Sequence, residues 1–129
     1  MEISKFLKIA FLIDGLVAIV YGFVMLLIPD IHADLMGFPY EEFSNRFVGS
    51  LFLGFGIGNL LAWFKGTSWE QVELVVIMNL GFLFFGLAVV VYCIALAILP
   101  VTALLQTGLI IFLMILFLYG YYEAKMKSA

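Results

Sequence analysis

The sequence predicts an all-α protein, a bundle of four helices that spans a membrane, with a short interfacial helix in its first outer loop. Three observations lead to this fold. Of the 129 residues, 66% are hydrophobic and only 12% are charged, whereas soluble domains carry roughly 25% charged residues. Charged residues and prolines divide the chain into apolar stretches of about twenty residues, which is the length that crosses a hydrocarbon core. No segments of about ten residues alternate between polar and apolar, as those of a membrane β-barrel would.

The same composition excludes other classes of protein. So little charge cannot cover the surface of a soluble globular domain, and so many apolar residues are untypical of a disordered chain. The formal net charge of −3 has the wrong sign for binding nucleic-acid phosphates. We therefore expect no nucleic-acid partner.

The first two spans are bounded by charge and proline. The first contains Ile9–Ile28, twenty residues that end before Pro29 and include one charged residue, Asp14. Because no small-residue cleavage site follows it, we expect this segment to remain as a helix rather than to act as a signal peptide. The second span consists of the eighteen uncharged residues between Arg46 and Lys65.

The last two spans come from one long apolar run. Every residue between Glu73 and Glu123 is uncharged, and Pro100 divides this run in two. Because proline interrupts helices, we expect a tight turn there. The chain is then a single domain, 1–129, with spans near 6–28, 45–64, 70–98 and 101–121.

The loop between the first two spans contains helix signals of its own. Asp30 can cap a short helix that ends near Met36, with Gly37 as its stop. Its apolar residues would place this helix in the membrane interface. His32 is the sole histidine and lies between Asp30 and Asp34. Because metal sites need several suitably spaced ligands, we expect no metal site here.

Basic residues predict the orientation. With four spans, Lys5, Lys8, Lys65, Lys125 and Lys127 share one side, and Arg46 alone lies on the other. Lysine and arginine in short loops favour the cytoplasmic side. We therefore expect a multi-pass protein of the cell membrane with both termini in the cytoplasm.

Small residues recur along the first two spans. Helices associate in lipid through close packing of such residues. The first span offers Ala10, Asp14, Ala18 and Gly22 at intervals of four, and the second offers Ser50, Gly54, Gly58 and Ala62. The sequence predicts that these two ridges pack against each other, with Asp14 at the seam.

Asp14 is the most informative residue, because a carboxylate at membrane depth costs about 2.5–3.5 kcal/mol on insertion scales and therefore needs a partner or a cavity. Asp14 follows Lys8 by six residues, Asn59 precedes Lys65 by six, and Asn79 follows Glu73 by six. The three polar side chains should therefore lie at similar depth. We expect a cluster that acts either as a proton or ligand site or as a hydrogen-bonded clamp between helices.

A second polar group is expected at the outer side. Arg46 is the sole arginine and opens the second span, with Glu42 one helical turn before it. Together with Tyr21, these residues form either an interfacial anchor or a site for an anionic or carbonyl group. Tyr92 and Gln106 are the polar groups of the outer half on the last two spans, and they are candidates to hydrogen-bond each other.

No pattern for self-contained catalysis is present. Cys93 is the single cysteine, so a thiol–disulfide relay is excluded for this chain acting alone. One histidine and no phosphate-binding glycine loop also argue against hydrolase or phosphoryl-transfer chemistry. We expect no cofactor, and we favour a non-enzymatic protein over the alternative of an enzyme that acts on a lipid-soluble substrate.

Two groups of residues carry a family resemblance over the first half of the chain. They are Gly15, Tyr21-Gly22, Pro29 and Met36-Gly37-Phe38-Pro39, followed by Asn45-Arg46-Phe47-Val48-Gly49 and Leu53-Gly54-Phe55-Gly56. The chain resembles the small four-helix DoxX-like membrane proteins, with Pro29, Arg46 and Gly49 matching their pattern. The resemblance is to an uncharacterised branch of this family, and it implies a compact four-helix bundle whose relatives either are subunits of membrane oxidoreductase assemblies or have no known role.

Two functions follow as alternatives. The first is a non-enzymatic accessory subunit or homo-oligomer that binds lipid, quinone or the helices of a partner. The second is a proton-coupled transporter or channel in which Asp14 titrates while Asn59 and Asn79 line the path.

Overall fold

A computed structural model of the chain describes residues 3–128 and consists there of helices and their connections. The side chain of Lys127, counted above for orientation, lies outside the described side chains. The five helices are α1 (Lys5–Leu27), α2 (Pro29–Met36), α3 (Glu42–Lys65), α4 (Trp69–Ala95) and α5 (Ala103–Ser128). All except α2 are long and apolar enough to cross a membrane. Four such helices indicate a multi-pass membrane protein.

The short helix α2 forms close to where the sequence predicts it. Pro29 occupies its first turn, where the missing N–H of proline is not needed. Asp30 therefore lies inside the first turn rather than capping it. Gly37 ends the helix with a φ of 71°, a left-handed conformation that glycine adopts without strain. Thr102 donates a hydrogen bond of 2.5 Å to the Met36 carbonyl, which ties the end of α2 to the start of α5.

The turn between α4 and α5 begins earlier than expected. Helix α4 ends at Ala95 rather than near residue 98. Ala97 takes a φ of 59°, and the Ile98 N–H bonds to the Cys93 carbonyl at 2.9 Å. This is the hydrogen-bond pattern that commonly closes a helix at a glycine. Because alanine takes the glycine position, the sequence contains no obvious stop signal there.

Helix α1 contacts α2, α3 and α5, and its packing against α3 is the most extensive. Its approach to α3 depends on glycine. A β-carbon on Gly49 would lie 2.7 Å from the Leu26 backbone nitrogen, and one on Gly22 would lie 2.9 Å from that of Leu53. Helix α5 packs on α1 and α4, whereas α3 and α4 make less contact with each other. The four long helices thus follow the order α3, α1, α5, α4 around the bundle.

One end of the bundle is closed by a compact core and a charged cap. Phe11 on α1 and Phe117 on α5 are fully buried and meet edge to face, with ring centres 5.7 Å apart. Lys8 donates hydrogen bonds to the carbonyls of Trp63 and Gly66 at 2.8 and 2.9 Å. Because these carbonyls lie at the end of α3, the ammonium group also stabilises the negative end of the helix dipole.

Candidate functional site

An apolar cavity of about 320 Å³ lies among the four long helices. Each long helix contributes to its wall, and Phe38 and Leu99 add to it from the connections. Fourteen of the seventeen lining residues are apolar, and the other three are Asp14, Tyr21 and Gln106. The wall consists of Asp14, Val17, Ala18, Tyr21, Met25, Phe38, Val48, Phe52, Phe82, Leu83, Gly86, Val90, Leu99, Gln106, Leu109, Ile110 and Leu113. Pockets for small molecules combine this size with a mostly apolar wall and a few polar groups.

The cavity is elongated along α1. Its wall includes Asp14 at one end of this helix stretch and Met25 at the other. Eleven residues of helix correspond to about 16 Å. The space therefore matches a long, narrow apolar molecule better than a compact polar one.

Asp14 lies in this wall and is partly buried. Among the described side chains, those of residues 3–126, no hydrogen bond or ion pair to its carboxyl group is found. The neighbouring Gly15 packs against Leu60 of α3, since a β-carbon there would lie 3.2 Å from the Leu60 nitrogen. Asp14 is therefore level with Asn59 along the bundle, as expected, but lines the cavity.

The second polar group of the wall is a hydrogen-bonded chain. Gln106 Nε2 donates to the Tyr21 hydroxyl at 2.5 Å, and this hydroxyl lies 2.7 Å from Nε2 of His32. Because the amide nitrogen can only donate, the tyrosine proton is directed to the His32 ring. Burial lowers the pKa of His32 below its usual value, which favours the neutral ring that this bond requires. This series of hydrogen bonds connects α5, α1 and α2.

These hydrogen bonds correct the expected partner of Gln106, and they also show the partner of His32. Gln106 bonds Tyr21 rather than Tyr92, which is 64% exposed. His32 is hydrogen-bonded to Tyr21, and no group of three potential metal ligands is found among the side chains of residues 3–126. The sequence offered no signal for the Gln106–Tyr21 contact, because the two residues are 85 positions apart.

Only two members of the predicted polar cluster are hydrogen-bonded to each other. The side chains of Asn59 and Asn79 exchange hydrogen bonds of 3.1 and 2.6 Å between α3 and α4. Asn59 also donates to the Phe55 carbonyl at 2.8 Å. Neither asparagine belongs to the cavity wall that contains Asp14. The two amides lie at equal depth and pair as expected. Asp14 lies at the same depth, but its side chain is directed to the cavity instead.

Arg46 and Glu42 lie on one face of α3 and form an ion pair of 3.3 Å, in which both side chains are substantially exposed. Arg46 also donates to the Leu26 carbonyl near the end of α1. Tyr21, which the sequence placed with them, instead joins His32 and Gln106. The arginine therefore connects the end of α1 to the beginning of α3.

The two small-residue ridges do not meet as predicted. Gly22 packs against α3, and Ala18 lines the cavity. On α3, however, the contact with α1 uses Gly49 and Gly56, since β-carbons there would meet α1 within 3 Å. Of the predicted ridge, Ala62 is buried, while Ser50, Gly54 and Gly58 are not. A β-carbon on Gly54 or Gly58 would meet nothing within 4 Å.

The reason is helical geometry. Four residues rotate a helix by about 400°, so a strict interval of four drifts by about 40° at each step. The observed contact on α3 instead follows Gly49, Leu53, Gly56 and Leu60. Alternating intervals of four and three keep these residues on one face.

Several wall residues were not identified as site residues from the sequence. Phe52 and Phe82 meet edge to face at 5.7 Å in the wall, and Gly86 lies one turn beyond Phe82. Phenylalanine and glycine are frequent throughout the spans, so their types alone do not distinguish a cavity from lipid-facing surface. No protein family, curated protein or solved structure matches the chain.

Proposed function

We propose that this membrane protein is non-enzymatic and binds an elongated, lipid-soluble molecule, such as a lipid or a quinone, among its four long helices. The observation that carries the proposal is the cavity of about 320 Å³ with fourteen apolar lining residues. Burial of apolar surface is the main source of affinity for such a ligand. The DoxX-like resemblance is consistent with this proposal, since it implies an accessory role in a membrane oxidoreductase assembly.

The orientation proposed from the sequence gives the cavity a position in the membrane. With both termini in the cytoplasm, the connection that carries α2 and Phe38 lies on the outer side of the cell membrane. The excess of lysine around the termini and Lys65 supports this orientation. Cysteine substitutions at Ser44 and Thr67 test it, because a membrane-impermeant thiol reagent should label the first position in intact cells and the second only after the cells are permeabilised.

A cavity-filling substitution tests the binding proposal. Gly86 lines the cavity, and a β-carbon there would meet nothing within 4 Å. Gly86→Phe should therefore fill the space without displacing a helix. The matched control is Gly108→Phe, because Gly108 is exposed, outside the cavity wall, and equally unobstructed.

The measurement is mass spectrometry of the lipids and quinones that each purified protein retains in mild detergent. We expect one class of molecule to accompany the unaltered protein and Gly108→Phe but to be lost from Gly86→Phe. Equal retention by all three proteins would contradict binding in the cavity.

We propose proton-coupled transport or channel activity as the second candidate. It is favoured by Asp14, a titratable residue in the cavity wall without a described hydrogen-bonding partner. The asparagines do not support it in the same way, because they bond each other outside that wall. Proteoliposomes under a pH gradient provide the test. An Asp14-dependent proton flux, abolished by Asp14→Asn, would favour transport, and equal flux in both proteins would reject it.

We also propose that the protein acts as a homo-oligomer or with a membrane-protein partner. Gly54 and Gly58 support this proposal, since they leave an open surface on α3 where another helix can approach closely.

A further inference from the structure

The charge of the cavity indicates which class of ligand it takes. Asp14 is the sole ionisable carboxyl group among the lining residues, and no lysine or arginine lines the cavity with it. The basic side chains with described contacts are engaged elsewhere. Lys8 caps α3, Arg46 pairs with Glu42, and Lys125 pairs with Glu73.

The other polar groups of the wall already have partners. The Tyr21 hydroxyl accepts from Gln106 and is directed to His32. A hydroxyl with one proton has then used its donor. The carboxyl group of Asp14 is thus the polar group of the wall with the most unused hydrogen-bonding capacity.

Aromatic rings form part of the same wall. Tyr21, Phe52 and Phe82 form a continuous series in the wall, with ring centres 5.2 Å apart for the first pair and 5.7 Å for the second. Tyr21 lies seven residues from Asp14, about 10 Å along α1, so the ring series extends away from the carboxyl group and offers contact for an apolar body. A carboxylate at one end of an apolar space has the chemistry that recognises a positive charge attached to such a body.

We propose that the ligand is a lipophilic amine, whose ammonium group pairs with Asp14 while its apolar part occupies the cavity. This inference rests on the proposed function and narrows its ligand class. A carboxylate without a counter-ion is costly at membrane depth even when it is only partly buried. A ligand that brings the counter-ion removes this cost, whereas a fatty acid would add a second negative charge.

Three probes of equal chain length separate the contributions of charge and apolar body. They are tritiated decylamine, decanol and decanoate, each added to the protein in phosphatidylcholine nanodiscs and corrected for binding to empty nanodiscs. We expect decylamine to bind at least tenfold more tightly than decanol, because a charge-assisted hydrogen bond is stronger than a neutral one. Decanoate should bind most weakly.

Two variants complete the test. Asp14→Asn retains the size of the side chain, and it should weaken decylamine binding roughly tenfold or more while leaving decanol binding unchanged. Gly86→Phe should weaken the binding of both, and Gly108→Phe should weaken neither. Because decanol binding also reports an intact cavity, loss of folding in Asp14→Asn would be recognised.

The outcomes distinguish this inference from the proposed function. If decanol binds in the cavity and Asp14→Asn leaves decylamine affinity unchanged, the preference for amines is wrong although the binding function stands. If Gly86→Phe alters neither probe, the cavity is not a binding site and both proposals fail.

Discussion

Asn59 and Asn79 form a reciprocal pair of side-chain hydrogen bonds between α3 and α4, and both side chains are almost completely buried. Their positions in the pair are not equivalent. Asn59 has a further bond to the Phe55 carbonyl of its own helix, whereas the described bonds of the Asn79 side chain all go to Asn59. The clamp between the helices is therefore asymmetric in what each partner would lose.

This asymmetry predicts unequal effects of substitution. Asn59→Leu leaves the Asn79 amide without its partner, whereas Asn79→Leu leaves Asn59 its bond to Phe55. We expect Asn59→Leu to lower the free energy of unfolding by about 1–2 kcal/mol and Asn79→Leu to lower it less. Reversible unfolding in mixed detergent micelles measures both. The double substitution should cost less than the sum of the two, and strict additivity would argue against the clamp.

The contact between α1 and α3 predicts sensitivity at Gly49. A β-carbon there would lie 2.7 Å from a backbone atom of α1, so the helices must separate to accept even alanine. We expect Gly49→Ala to lower the free energy of unfolding by about 1–3 kcal/mol. In the same unfolding measurement, Gly108→Ala should cause no loss, because its position is open. A neutral effect of Gly49→Ala would mean that the close approach is not required.

The bond between Tyr21 and His32 predicts a dependence of stability on pH. Burial lowers the pKa of His32 from its ordinary value of 6.5, so the folded state holds fewer protons on this ring than the unfolded state at mildly acidic pH. The contribution to stability is then fully present above about pH 6.5 and is lost as the pH falls through the lowered value.

His32→Gln separates this titration from that of the acidic groups, because glutamine can accept the bond but does not titrate. Thermal unfolding of both proteins across the acidic range should show a steeper loss of stability in the unaltered protein. Parallel curves for the two proteins would contradict a role for the neutral histidine.

The open face of α3 predicts that association depends on Gly54 and Gly58. Leucine at both positions should reduce self-association without affecting the stability of the single chain, since neither β-carbon meets a neighbour. Analytical ultracentrifugation in detergent measures the dimer fraction, with Gly108→Leu as the control. If the double variant and the control associate equally, this face is not the contact between copies.

Charge and proline predicted the elements of the fold well, because a membrane span needs a length of uninterrupted apolar sequence. All four long helices and the short α2 occur near their expected positions. The rotation of each helix was harder to predict. Glycines occupy several faces of α3, and the regular interval of four selected Gly54, whereas the contact with α1 uses Gly49.

In the candidate site, too, the depth of each residue was easier to predict than the rotation of its helix. Depth along the membrane follows from counting residues, and it brought Asn59 and Asn79 to one level. The direction of Asp14, and the partnership of Tyr21 with Gln106, depend on how the helices turn about their axes. Because the chain has few polar residues, the alternation of polar and apolar positions does not indicate which face of each helix is directed inward.

The limited contact between α3 and α4 has a consequence for how a molecule would reach the cavity. These two helices, although joined by the asparagine pair, contact each other less than α1 contacts α3 or α4 contacts α5. Their backbones approach each other less closely than those of either pair, and ring contacts with Phe82 and the asparagine pair join them through side chains. We therefore expect a hydrophobic molecule dissolved in the bilayer to enter sideways, between α3 and α4, without first passing into water.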